Sequence, residues 1–294
     1  MHRPFRFGVV SGQVQSHTTW VMTARRAEQL GYATFLVVDR ISMGLAPFSA
    51  LAMAAGATTS LRVGTFVFCN DFRHPAVLAK EVATLDLLSE GRFELGIGAG
   101  VGPSDYNQMG IPFESAGTRV SRLEESLQII KQLFTQEIVN FSGKYYTITG
   151  LRGVPRPIQQ PHPPMLVGGS GKRMLSIAAR LADIITLMPG WGIQGAEAVH
   201  KDIQQKLAWV QESAGERFAH LQFCRTIYNM QITDNQVPVT SPPGMPSMPV
   251  LAMSTEQAVE HLLELRERYG YSYFQIYEGQ MENFAPVVAR LAGQ

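Results

Sequence analysis

Six consecutive residues, Gly168-Gly169-Ser170-Gly171-Lys172-Arg173, have the composition of an anion-binding turn. They follow the apolar run Met165-Leu166-Val167 and open a helical pattern. Glycines at a helix start leave backbone N–H groups free at the positive end of the helix dipole. Lys172 and Arg173 add charge-assisted donors. A bound phosphate group suits such a turn; the alternative is a tight packing turn followed by two solvated cations. It is neither a Walker loop nor a Gly-x-Gly-x-x-Gly fingerprint, so it specifies no nucleotide.

Other residues with chemical potential also follow apolar runs. Asp39-Arg40 offers an adjacent acid and base to the edge of a polar heterocycle, or a salt bridge at a rim. Gly98-Ala99-Gly100 lets a flat ring lie against backbone, or is a crowded turn. Trp191, between Gly190 and Gly192, has the form of an aromatic pocket wall, and a packed core tryptophan fits as well. Cys69 and Asn70 close another apolar run. Tyr106 and Asn107, on a long loop, are either substrate contacts or ordinary loop residues. His74, before Pro75, is an acid–base candidate or a hydrogen-bonder at a helix start. Cys69, Asn70, Tyr106 and Trp191 make up the expected substrate pocket.

Several chemistries are set aside. A Schiff-base mechanism needs a strand lysine in an apolar pocket, and all six lysines fall outside the expected strands. Paired catalytic carboxylates at strand ends are not obvious. The seven histidines are scattered, without His-x-His or His-Glu-x-x-His, so no metal is expected. A formal net charge of +1 gives no reason to expect nucleic acid or an acidic membrane as partner. No stretch approaches the ~20 apolar residues of a membrane span. Two cysteines, read as buried thiols, fit a reducing, cytoplasmic setting. What remains is an apolar mouth with a phosphate clamp, which suits a bound cofactor that carries the reaction.

These residues need a scaffold that brings strand ends together. Strands are expected at 5–10, 34–38, 63–69, 93–97, 165–167, 183–187, 221–227 and 273–277. Between them, apolar residues recur at helical spacing, as in Val120, Leu123, Leu127, Ile130 and Phe134. Pro75 fits a helix start and Gly91 a helix end. Ser254 with Gln257 makes a capping-box pattern. Residues 138–148 read as a small structural hairpin, and the Pro/Met-rich stretch 235–253 as a lid or a loop excursion. Eight strands alternating with eight helices, with no linker, predict one (β/α)8 TIM barrel over 1–294, with its site on the loops after the strands.

Several motifs are familiar. Asp-Phe-Arg-His-Pro-Ala-Val-Leu-Ala at 71–79, Ala-Thr-Leu-Asp-Leu-Leu-Ser-Glu-Gly-Arg at 83–92 and Leu-Gly-Ile-Gly-Ala-Gly at 95–100 resemble the bacterial luciferase-like flavin and deazaflavin oxidoreductases. Gly-Ile-Pro-Phe at 110–113, the run 119–127 and Pro-Pro-Met-Leu-Val-Gly-Gly-Ser-Gly at 163–171 look like the coenzyme F420-dependent branch. The resemblance covers roughly 5–191 and fades beyond. It implies a luciferase-like barrel, commonly a homodimer, with a tricyclic redox ring in its mouth. It also implies a strand-three bulge behind the ring, with a non-prolyl cis peptide, at Phe66 and Val67. The implied cofactor contacts are Asp39, Phe66, Val67, Gly98, Ala99, Gly100, Gly168, Gly169, Ser170, Gly171, Lys172 and Arg173, and Arg40, beside Asp39, is added to them as a further expected contact.

Two departures bear on mechanism. The family usually has Asp-His where this chain has Asp39-Arg40, and arginine does not give up its proton at neutral pH. Val101 stands where sugar-phosphate dehydrogenases of this kind carry glutamate. The resulting expectation is hydride transfer between coenzyme F420 and a small organic substrate, with Asp39 and Arg40 the candidates for any catalytic role. The alternatives are a reduced-FMN monooxygenase and a ligand-binding barrel without catalysis.

Overall fold

Eight apolar segments form one parallel sheet that closes on itself. The computed structural model describes residues 3–228, 230–234 and 251–294. The strands are β1 (Arg6–Ser11), β2 (Thr34–Val37), β3 (Arg62–Thr65), β4 (Phe93–Gly98), β5 (Met165–Gly168), β6 (Ile184–Thr186), β7 (Gln222–Ile227) and β8 (Tyr271–Tyr277). Their order is β3-β2-β1-β8-β7-β6-β5-β4, and a β3–β4 pairing, Val63 to Phe93 and Gly64 to Glu94, completes the ring. Phe68–Cys69 carries β3 on beyond an interruption and pairs with β4 again. The expected TIM barrel is therefore observed.

The helices between strands are α1 (His17–Gln29), α2 (Pro47–Ala57), α3 (Pro75–Leu88), α4 (Ala116–Thr135), α5 (Lys172–Leu181), α6 (Ala196–Ala214), α7 (Thr255–Tyr269) and α8 (Met281–Leu291). Local chemistry sets several ends. The Ser16 and Ser115 side chains accept the N–H groups of Thr19 and Thr118. Ser254 and Gln257 make the full capping box. Gly91 follows α3 at φ 79°, a backbone region that glycine enters without steric cost.

Alternation along each strand divides the interior into two layers. Phe7, Val9, Phe35, Val37, Val63, Phe93, Leu95, Ile97 and Val167 pack outward with Trp20, Leu51, Leu78 and Leu127 of the helices. Leu166, Ile184, Cys224 and Tyr273 point inward and meet Phe66 and Val67. At the N-terminal end of the barrel, buried Glu94 is shared by Arg6 and Arg62. Just above, the Tyr273 and Thr34 hydroxyls meet at 2.5 Å. Gly8 makes room for them, since a Cβ there would lie 2.4 Å from Thr34 Oγ1. That end is filled, and the C-terminal end is left open.

Some boundaries differ from the sequence expectation. β8 begins at Tyr271 and β6 is confined to Ile184–Thr186. The loop expected between β4 and α4 contains a short helix, Ser104–Met109, ended by Gly110 at φ 69°. The hairpin pairs Val139–Ser142 with Thr147–Leu151, and the Glu125 carboxylate accepts three of its N–H groups, at Lys144, Tyr145 and Tyr146. Residues 235–250, most of the Pro/Met-rich stretch, lie outside the described residues, so the lid reading does too. Leu251–Met253 pairs in parallel with Met230–Ile232.

Candidate active site

The open end of the barrel holds a cavity of about 640 Å³. Its walls come from the C-terminal ends of the strands, among them Val10, Val38, Gly98, Gly168 and Tyr277. One wall is the interruption in β3. Between the Gly64–Glu94 and Phe68–Ile97 pairs, Thr65, Phe66 and Val67 face only Leu95 and Gly96, which makes a bulge. The Phe66–Val67 peptide is cis, and both residues line the cavity. Gly96 permits this packing. Its N–H and C=O both engage Thr65 Oγ1, at 3.1 and 2.7 Å, and a Cβ would lie 1.9 Å from the Thr65 carbonyl oxygen.

Next to this wall, Gly98, Ala99 and Gly100 bring bare backbone to the cavity. Arg119 holds that loop from behind, donating to the carbonyls of Ala99 and Gly100 at 2.7 and 2.6 Å while its guanidinium lies 4.1 Å from the centre of the Phe113 ring. At Gly100, φ is 83° and a Cβ would be 2.1 Å from the Tyr106 hydroxyl, so glycine is required twice over.

Asp39 and Arg40 both reach the cavity, and each is already engaged. Asp39 is bound by both terminal nitrogens of Arg73 and by the Cys69 backbone N–H. Arg40 forms an ion pair with Asp105 at 2.5 Å, and Ser42 donates to the same carboxylate at 2.8 Å. Burial pushes the Asp105 carboxyl up, but Arg40 and Ser42 outweigh burial and hold it below the ordinary value. His74 is a helix cap: Nδ1 accepts the Ala76 N–H at 3.2 Å.

Cys69 and Tyr106 line the cavity as a pair. Cys69 Sγ lies 3.1 Å from the Tyr106 hydroxyl, which donates to Asp71 at 3.0 Å. Arg122 closes the chain on Asp71 at 3.0 Å. Burial raises the Cys69 thiol despite the Tyr106 hydrogen bond, and burial likewise raises the Tyr106 phenol. Asn70, expected in the pocket, is instead packed away at 1% exposure in the 3-10 turn Asn70–Phe72 and is not a wall residue.

The glycine turn is split by the start of α5. Gly168, Gly169 and Ser170 line the cavity. The next two side chains leave it: Lys172 reaches toward Glu212 at 3.6 Å, and Arg173 donates to Gly117 O and Ser121 Oγ. Anion binding here would therefore draw on backbone N–H groups rather than on these cations. A Cβ on Gly171 would meet no atom within 4 Å, so the turn is open in front. Trp191 is 87% exposed and does not wall the cavity, because Gly192 at φ 79° turns the loop and leaves the indole outside. Behind that loop, buried Lys206 donates to Met188 O and Asp202, and Asp202 accepts the Gly190 N–H.

Asp71, Asp105, Arg119 and Glu278 form part of the cavity or its support; Asp71, Asp105 and Glu278 lie in the loops after strands where a site is expected, though sequence reading gave them no individual role. Their partners are distant in the chain, so no local signal names their contacts. Among the described residues, no group of three or more His, Cys, Asp or Glu side chains is placed to hold a metal ion. No helix among them is long and apolar enough to cross a membrane.

Comparisons with known proteins bear on the family and the fold. The luciferase-like monooxygenase family matches residues 4–230. An F420-dependent glucose-6-phosphate dehydrogenase of Amycolatopsis mediterranei is 33% identical over 201 residues, which is 62% of this chain and 60% of that protein. An FMNH(2)-dependent dimethylsulfone monooxygenase of Pseudomonas putida is 27% identical over 68% of this chain and 58% of its own length. These alignments span less than two thirds of the relatives. The structure of a coenzyme F420-dependent tetrahydromethanopterin reductase from Methanopyrus kandleri superposes with a TM-score of 0.80 at 18% identity, covering 98% of this chain and 99% of that one, a likeness of fold.

Proposed function

The chain belongs to the luciferase-like monooxygenase family, and on that premise we propose that it is an oxidoreductase that uses coenzyme F420 to pass a hydride to or from a small organic substrate. The observation that carries this reading is one cavity of about 640 Å³ bounded by the Phe66–Val67 bulge, the bare backbone of Gly98 to Gly100 and the Gly168–Gly169–Ser170 turn. A three-ring system would lie against the first two, and the turn would offer N–H groups to a phosphate. The cofactor supplies the hydride chemistry when bound.

The chain's own residues position, desolvate and support. Phe66, Val67 and Ala99 exclude water from one side of the ring. Asp39 serves as an anchor for the loop after β3, because its oxygens are occupied by Arg73 and Cys69. Arg40, paired with Asp105, gives up no proton at neutral pH and ties the loop after β2 to the short helix at the mouth. The Cys69 thiol and Tyr106 hydroxyl, in contact at 3.1 Å, are one source of a proton on the cavity wall. Homodimer formation belongs to the same proposal and is checked by sedimentation.

The test is paired titration of the purified chain with F420 and with FMN, followed by fluorescence or calorimetry. Tight F420 binding and weak FMN binding are expected. Tight FMN binding without F420 binding would move the assignment to a reduced-FMN monooxygenase, the reading that the Pseudomonas relative favours. Binding of a cofactor with no turnover across a broad substrate panel would leave a ligand-binding barrel.

A further inference from the structure

Among the described residues, four charged side chains face the cavity: Asp39, Arg40, Asp105 and Glu278. Three of them are neutralised, Asp39 by Arg73 and Arg40 with Asp105 by each other. Glu278, immediately after β8, is different. Among the described residues its carboxylate is held only by neutral donors, Ser11 Oγ at 2.5 Å on one oxygen and Gln15 Nε2 on the other. Ser11 is buried at the end of β1, and Gln15 accepts in turn from Thr23 Oγ1 at 3.4 Å. Both oxygens are thus fixed in direction, each keeps a lone pair, and no cation among the described residues offsets the charge.

Its place in the ring gives that charge a direction. β8 stands four strands from β4 by either route around the barrel. Glu278 therefore faces, across the cavity, the backbone of Gly98 and Gly100 and the neighbouring Phe66–Val67 bulge. A ring held on that wall would leave the Glu278 side of the cavity to a substrate. When ring and substrate displace water, an unpaired carboxylate becomes costly unless the incoming molecule supplies the opposite charge.

We propose that Glu278 is a specificity-determining residue that selects substrates carrying a cationic nitrogen, seated between its carboxylate and the ring wall. This rests on the ring-wall reading above. The pairing is a charge-assisted hydrogen bond from the substrate N–H to a carboxylate already oriented by Ser11 and Gln15. A structural role alone, in which Glu278 only ties the segment after β1 to the end of β8, selects no ligand charge.

The experiment titrates benzylamine and benzyl alcohol, near-isosteric and differing in charge at pH 7, into the full chain alone and saturated with F420 or FMN. Benzylamine is expected to bind about tenfold more tightly than the alcohol, the order of a charge-assisted hydrogen bond. Glu278→Gln should bring the two affinities within about twofold while leaving cofactor affinity unchanged. Ser11→Ala, which keeps the charge, should retain the preference. Equal affinities in the wild-type chain, no benzylamine binding, or a preference that survives Glu278→Gln would overturn the proposal. Failure of both cofactors to bind would instead overturn the ring-wall reading, and the amine preference of the chain alone would still be measured.

Discussion

The carboxylate of Asp39 grips the guanidinium of Arg73 with both oxygens, at 2.6 and 2.9 Å, and one of those oxygens also accepts the Cys69 N–H at 2.9 Å. An acid that faces the cavity is thereby an anchor, fastening the end of β2 to the turn after the bulge. The Asp39 side chain is 2% exposed, so removing its partner strands a buried charge. Arg73→Ala is expected to cost about 3 kcal/mol in chemical denaturation. The double variant Asp39→Asn/Arg73→Met should recover part of that loss. A single variant with wild-type stability would show that the pair carries no weight.

Gly96 is the residue on which the bulge closes. With a methyl group, Gly96→Ala places Cβ 1.9 Å from the Thr65 carbonyl oxygen, which belongs to the backbone and cannot swing aside. A destabilisation of about 1–3 kcal/mol is expected, together with a loss of cofactor affinity as the Phe66–Val67 wall shifts. Melting temperature and cofactor titration measure the two effects separately.

Cys69 reports occupancy of the cavity. Its thiol is held up by burial, so alkylation by iodoacetamide near neutral pH should be slow. Bound cofactor should slow it further by covering the wall. Tyr106→Phe removes a hydrogen bond that favours the thiolate and should move the pH profile of alkylation upward. Alkylation unaffected by saturating cofactor would argue against the ring position proposed here.

Glu28 governs part of the acid limb of stability. Burial acts to raise its carboxyl, but N–H groups of Ser60, Leu61 and Thr59 and the Ser60 hydroxyl outweigh burial and lower it from 4.5 to about 2. A depressed folded-state value stabilises fully above the unfolded value of 4.5 and is lost as pH falls through about 2. Glu28→Gln should therefore flatten the decline in stability between those two pH values, read as urea midpoints against pH. An unchanged slope would remove Glu28 from the acid transition.

The cavity's backbone components were legible before any fold was known. The glycines at 98, 100 and 168–169 lie at the ends of apolar runs, and a strand in a parallel barrel puts such residues at the mouth. The bulge at Phe66 and Val67 came from resemblance alone, since nothing in Phe-Val-Phe predicts an extra residue there. Side-chain directions were not legible. Lys172 and Arg173 follow the glycines as an anion clamp would, yet α5 carries them away from the cavity. Trp191 sits in a loop after a strand and still faces outward.

By itself, the order of residues determined the alternation of strands and helices, the places where helices start and stop, and the glycines that let backbone meet a ligand. Those features depend on neighbours within a few positions, where periodicity, capping and φ preference act. Only closure of the barrel decided which charges are satisfied. Arg73 reaches Asp39 across 34 residues, Arg40 reaches Asp105 across 65, and Ser11 meets Glu278 across 267. Such pairs are set by strand register around the ring, and each strand contributes to them only after its partners are in place.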